Sequence, residues 1–293
     1  MIKQYINLMK PGIIMGNMVS GLGGYFYATG GVILPDILFG VTLGLICIIG
    51  SACVFNNIYD ADIDLLMSRT KNRAMVLSIF SKKHAIIFAI ILSVLGFASL
   101  WILTSSTAFW LGLWAFFAYT VLYTVLTKRQ STWGTFVGSL SGAMPTVIGY
   151  TAVVNTINLQ AILLFIIFVI WQMPHSYGIA FFRFEDYKRA CINVLPVSKG
   201  LERTRAHIII HITAFIIAIG VFGAMGYLHP IGLFSTLVVA MYWSFTAIFM
   251  YNTEGEERNK SLQQWGKRIF FISILMVIML NLALAFNGVF DKI

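Results

Sequence analysis

Charge is what this chain has least of. Only 11% of its 293 residues are Asp, Glu, Lys or Arg, against about 25% in soluble domains. With 59% hydrophobic residues and a mean hydropathy of +0.85, the shortage excludes an ordinary soluble domain and indicates a polytopic membrane protein. Cysteine is scarce too. Cys47, Cys53 and Cys191 offer neither a disulfide framework nor a metal-ligand spacing, and the first two lie in an apolar run as small hydrophobes. Acidic residues number 11 against 20 basic ones. A net charge of +9 invites a nucleic-acid partner, but the placement of the basic residues answers to membrane topology, so none is expected. The apolar segment after Lys3 and Lys10 is long and lacks a small-residue cleavage site, so it is expected to be a span and not a signal peptide.

What is abundant is apolar sequence in lengths that cross hydrocarbon. Nine spans are predicted, near 12–29, 36–55, 84–104, 107–126, 134–154, 160–182, 207–228, 231–251 and 269–287. With the N-terminus in the cytoplasm, the cytoplasmic links hold every basic residue except Lys292, as the positive-inside rule requires. The C-terminus is then extracytoplasmic. Loops 56–83 and 183–206 are the longest links, so polar chemistry gathers on the cytoplasmic side. Gly12/Gly16, Gly40/Gly44 and Gly134/Gly138/Gly142 stand at four-residue steps, which suits close helix packing. Pro145 and Pro174 fall inside spans and are expected to kink them. Tyr5, Trp133 and Trp265 near span ends fit interfacial anchoring.

Stretch 56–64, Asn-Asn-Ile-Tyr-Asp-Ala-Asp-Ile-Asp, follows the second span directly. Asn56, Asp60 and Asp64 are four apart and stack on one helical stripe, with Asp62 on the other face. A carboxylate beside hydrocarbon is costly unless paired, wetted or cation-bound. The stripe reads either as a site for a hard divalent cation such as Mg²⁺, which takes oxygen ligands, or as a solvated acidic helix end. Arg69-Thr-Lys-Asn-Arg73 lies in the same loop. Its arginines suit phosphate, and the plain alternative is the basic bias of cytoplasmic loops. A second polar cluster, Arg183-Phe-Glu185-Asp186-Tyr187-Lys188-Arg189, follows span six on the same side. His175 sits within that span. It is either a functional intramembrane group or a histidine bonded to a neighbouring helix. If the helix runs on, His175 shares a face with Asp186 and lies about 16 Å deeper. His207 and His211 share a helix face at a metal-like spacing, with nothing in the sequence to complete a site.

Taken together, the motifs are similar to those of the UbiA superfamily of intramembrane prenyltransferases. They are Lys10-Pro-Gly; Val54-Phe-Asn-Asn-Ile-Tyr-Asp60-Ala-Asp-Ile-Asp64; Arg69-Thr-Lys-Asn-Arg73; Gly138-Ser-Leu-Ser-Gly-Ala-Met-Pro145 with Gly149-Tyr150; Trp171-Gln-Met-Pro-His175-Ser-Tyr; Phe182-Arg-Phe-Glu-Asp186-Tyr-Lys; and Val194-Leu-Pro-Val197. They cover about two thirds of the chain. The acidic motif carries the superfamily, and the Trp-Gln-Met-Pro-His, Glu-Asp-Tyr-Lys and Leu-Pro-Val elements carry its haem-acting branch.

The resemblance implies a single all-α integral membrane domain over 1–293, a nine-helix bundle around a central cavity in the cytoplasmic (inner) membrane. It implies farnesyl transfer from farnesyl diphosphate to the 2-vinyl group of haem B, with addition of water, giving haem O. Haem A synthase or a terminal oxidase is then the expected partner. Asn56, Asp60, Asp64 and Asp186 are the implied Mg²⁺ ligands, with Arg69 and Arg73 on the diphosphate. Asn57, Lys128, His175, Arg183, Glu185, Tyr187 and Lys188 are the further substrate-binding candidates. Two departures stand out. Many members have a second aspartate four residues after Asp186, where this chain has Ala190, leaving Glu185 or a water to fill the place. Many haem-branch sequences have Pro where this chain has Ala74, which touches loop shape and not chemistry. A sister enzyme acting on a quinone precursor, or a membrane haem carrier, are the competing readings. The 24 Phe, 12 Tyr and 7 Trp leave the groups around an allylic cation unassigned.

Overall fold

A computed structural model describes residues 2–251 and 258–290, which are helical with no strand among them. The long helices start where the sequence supplies caps. Ser81, Ser105 and Asn158 accept the amides of His84, Ala108 and Ala161 at the starts of α5 (Lys82–Leu103), α6 (Ser106–Phe117) and α9 (Leu159–Phe182). Proline opens α2 (Pro11–Thr29), α3 (Pro35–Tyr59) and α13 (Pro230–Phe249), where its missing N–H costs nothing. Left-handed Gly30 (φ 59°) closes α2.

Among the described residues, eight helices are long and apolar enough to span a bilayer. The expected first span, α2, is a ninth long helix of 19 residues that does not meet that measure on composition, because glycines, Asn17 and two tyrosines dilute its apolar residues. Instead its second half, residues 20–25, packs inside the bundle. A Cβ on Gly24 would lie 2.0 Å from the Thr146 carbonyl oxygen, and one on Gly149 would lie 1.9 Å from that of Gly21. Backbones of α2 and of α8 (Met144–Val154) therefore touch. Two expectations need correction. Gly12 and Gly16 have open space where a Cβ would go, so that pair packs against nothing, whereas Gly40 and Gly44 do pack on Leu103 and Leu100. Trp265 is no interfacial anchor: it is buried and donates to the Thr246 carbonyl.

Two spans depart from plain α-helix. The fifth breaks between α7 (Gly134–Gly142) and α8 at Pro145, and Gln172 donates to the carbonyl of Gly142 there (3.2 Å). By contrast, α9 runs on through Pro174. The fourth continues from α6 as a π-helical segment, Ala118–Thr127. Threonine hydroxyls support that widening. Thr124 donates to the Tyr119 carbonyl and Thr127 to that of Leu122, both at 2.8 Å and both five residues back. Such segments are rare and favour functional positions.

Short helices lie at the ends of the spans: α1 (Ile2–Leu8), α4 (Ala61–Leu65), α10 (Phe184–Arg189), α11 (Leu195–Lys199) and α15 (Asn287–Phe290). The remaining long helices are α12 (Leu201–Ala224) and α14 (Arg258–Ala285). Two polar clefts lie at opposite ends of the bundle. One of about 190 Å³ is lined by Ser68, Arg183, Glu185 and Asp186 among others, and one of about 230 Å³ by Tyr27, Tyr150, Gln160 and Tyr227 among others.

Candidate active site

The acidic stripe survives a helix break. α3 ends at Tyr59 and α4 begins at Ala61, yet the Asp60 amide still donates to the Asn56 carbonyl (2.9 Å) and the Asp64 amide to that of Asp60 (2.8 Å). Helical stepping is kept, so Asn56, Asp60 and Asp64 stay aligned. All three are buried, while the Asp62 side chain is 65% exposed, as the four-residue spacing requires.

A buried carboxylate needs a counter-charge, and each has one. Lys128 pairs with Asp60, and Arg129 reaches the same carboxylate at 3.4 Å. Arg129 also grips both oxygens of Asp62 at 2.8 Å, and this bond holds the Asp62 carboxyl below its usual range. Arg73 bonds Asp64 at 2.6 Å. Asn56 donates to Asp60 (2.7 Å) and to Thr124 (3.1 Å) and accepts from the Lys10 ammonium at 2.5 Å. The π-helical segment is what delivers Thr124 and Lys128 to this stripe.

Asp186 stands on its own short helix. α9 ends at Phe182 and Arg183 turns the chain, so the helix does not run on from His175 to Asp186. The Ser68 amide (3.1 Å) and hydroxyl (2.9 Å) bond the Asp186 carboxylate, Arg189 pairs with it, and Arg183 lies 4.0 Å away. Burial pushes the Asp186 carboxyl up, but these bonds outweigh it and hold it below its usual range. The bond to Ser68 ties loop 66–70 to α10, bringing the two motifs to one end of the bundle.

Cations gather between them. Arg69 has no carboxylate partner among the described residues. Burial lowers its pKa, and the charges of Arg73 and Arg183 push the same way. Burial drives Lys10 down to about 7, with Arg73 and Lys128 adding to the effect. Lys10 likewise has no carboxylate partner, since Asn56 is neutral. Tyr187 feels Lys128, Arg69 and Arg183, and burial raises its pKa. Crowded cations with two unmatched members form a seat for a polyanion.

Other expected residues lie further out. Asn57 is buried and donates to the Leu8 carbonyl (2.8 Å). Lys188 is exposed and sits 6.0 Å over the Phe184 ring. Glu185 lines the cleft beside Asp186. His175 bonds the Ser273 hydroxyl (2.7 Å) and stacks on Trp171 at 4.9 Å, between α9 and α14. His207 and His211 stack at 6.1 Å. Sequence reasoning missed Lys10, Ser68, Thr124 and Arg129. Lys10 was visible as part of the Lys-Pro-Gly motif; Ser68 and Thr124 carry no signal short of the fold.

The donor set suits Mg²⁺. Its neutral and anionic donors are all oxygens, and among the described residues no three His, Cys, Asp or Glu converge into an all-protein cage. One or two carboxylates completed by substrate phosphate is how Mg²⁺ is usually held.

Known proteins show the same design. Residues 17–275 match the model of the UbiA prenyltransferase family. The chain is 41% identical over 287 residues to a protoheme IX farnesyltransferase of Edwardsiella ictaluri, covering 98% of this chain and 95% of that protein. It is 38% identical over 287 residues to one of Acinetobacter baumannii, covering 98% and 96%. Among solved structures, a digeranylgeranylglyceryl phosphate synthase superposes with a TM-score of 0.74 at 16% identity, covering 96% of this chain and 98% of that one. A UbiA homologue of Archaeoglobus fulgidus bound to DMAPP and Mg²⁺ superposes at 0.68 with 18% identity, covering 96% and 99%. Fold, motif geometry and nearly full-length identity agree that the chain belongs to the UbiA prenyltransferase family.

Proposed function

We propose that this prenyltransferase moves a farnesyl group from farnesyl diphosphate to the 2-vinyl group of haem B, adds water and yields haem O and diphosphate. One observation supports the chemistry above all: a buried Asn56–Asp60–Asp64 stripe faces cations of which Arg69 has no carboxylate to neutralise. Relatives named for farnesyl transfer to protohaem, at about 40% identity over nearly the whole chain, support the acceptor.

The bond to break is the allylic C1–O bond of farnesyl diphosphate. Arg69 and Arg73 donate to the diphosphate, and Lys128 lies alongside. These bonds strengthen as the leaving group gains charge, so they favour the transition state. Asn56, Asp60, Asp64 and Asp186 would hold Mg²⁺, which when bound would supply further neutralisation of that charge. The terminal vinyl carbon bonds to farnesyl C1. The adjacent carbon takes a water oxygen and the proton passes to solvent, so diphosphate leaves with the electron pair of the broken bond. His175, at mid-span with its ring on Trp171, is the acceptor-side candidate as an iron ligand or a contact to haem. Arg183, Glu185, Tyr187 and Lys188 form the second wall. Asn57 acts through the N-terminal segment. The site opens to the cytoplasm, in the inner membrane, and the C-terminus is extracytoplasmic.

Expression of the chain in membranes lacking this activity, followed by mass spectrometry of extracts, tests the reading. Haem O is the expected product. A prenylated aromatic ring with no haem O assigns the site to a quinone precursor, and unmodified haem that is only relocated assigns a carrier.

A further inference from the structure

Lys10 links α1 to α2 in a left-handed conformation (φ 56°, ψ 70°), which non-glycine residues rarely adopt. Proline follows it, fixing the start of α2. Strain of this kind persists only where the surroundings over-determine it, and here they do. Asn57 holds the Leu8 carbonyl (2.8 Å), and Leu8 is buried. Tyr5 packs between Phe80 (4.5 Å) and Phe88 (4.9 Å). A Cβ on Gly50 would lie 2.6 Å from Met9, so that helix presses on the segment. The amides of Ile13 and Ile14 both donate to the Lys10 carbonyl. Glycine would make this link without strain, so the connection alone does not account for lysine.

The side chain does. Its ammonium reaches Asn56 at 2.5 Å, one step along the stripe from Asp60, which Lys128 neutralises, and two from Asp64, which Arg73 neutralises. Lys10 meets only a neutral amide. A half-buried cation without an anion is costly, and that cost falls away when an anion arrives.

Resting on the diphosphate reading above, we propose that Lys10 is a further diphosphate-binding residue and that Asn57, through α1, is the positioning residue that holds it over the acidic stripe. The ammonium then donates to a diphosphate oxygen, and the Asn56 side-chain oxygen is released to face the cation accompanying the substrate.

The test uses the full-length chain in detergent, titrated calorimetrically with inorganic pyrophosphate in the presence of Mg²⁺. Lys10→Gly removes the ammonium and relieves the left-handed strain, so it folds at least as well as the parent. It is expected to bind pyrophosphate ten-fold or more weakly, about 1.4 kcal/mol. Lys10→Arg, which keeps the charge, stays within about three-fold by the same arithmetic. Asn57→Ala shifts binding in the same direction as Lys10→Gly. In turnover, Lys10→Gly raises KM for farnesyl diphosphate and leaves KM for haem B unchanged. Parent-like pyrophosphate affinity in Lys10→Gly overturns the assignment while leaving the diphosphate site intact. A parent protein that binds no pyrophosphate overturns the site itself, and the role of Lys10 with it.

Discussion

Asp60 is the middle member of the acidic stripe, between Asn56 and Asp64. It is fully buried and bonded by Asn56, Lys128 and Arg129. Replacing it with Ala removes a proposed metal donor and leaves the half-buried Lys128 without its anion. Haem O formation in membranes is expected to fall by about 10²–10³-fold, the scale for loss of one preorganised electrostatic group. Product analysis by mass spectrometry measures it, and parent-like yield removes Asp60 from the chemistry. The stripe was legible in the sequence because a four-residue step survives a small break, the amides of Asp60 and Asp64 each reaching back one turn. The partners were less so. Lys128 came from loop charge and Lys10 only as a motif letter. Ser68 is an ordinary serine until the fold brings it against Asp186, 118 positions further along the chain. The condition for placing His175 and Asp186 on one face, a helix running on past Phe182, is not met because Arg183 ends α9.

Among the elements, most spans were legible from hydropathy to within a few residues, but the seventh and ninth helices start well ahead of their expected spans, at Leu201 and Arg258, because charged first turns hide a helix from hydropathy. Third, fifth and sixth spans begin or end where Ser81, Gly134 and Phe182 stand. Two features were not. The second half of α2 is interior, and its glycines lower the hydropathy that marks a span. The π-helical segment has no periodic signature, because threonine hydroxyls that reach five residues back act only once the turn is widened. That segment carries a prediction. Deleting Val121 turns everything beyond it by about 100°, taking Lys128 off Asp60 and Arg129 off Asp62. The variant is expected to insert and fold, since Lys128 lies past the apolar part of the helix, but to lose pyrophosphate binding by titration. A deletion variant that binds like the parent shows that the widened turn does not set the site.

For the whole molecule, the acidic and basic motifs of the site lie at one end of the bundle, and the orientation we propose from the basic links can be tested. In a Cys191→Ser background, where Cys47 and Cys53 are buried, single cysteines distinguish the two sides. An impermeant maleimide added to intact spheroplasts is expected to label Thr156→Cys and to spare Gln130→Cys until the membrane is broken. The reverse pattern inverts the topology. The ion pairs themselves have a further consequence. Lys128, Arg129, Arg73 and Arg189 answer the carboxylates from within the chain. A newly inserted polypeptide can therefore complete its fold without waiting for a small molecule. Arrival of the prenyl donor then exchanges partners within a site already formed and is not required to build it.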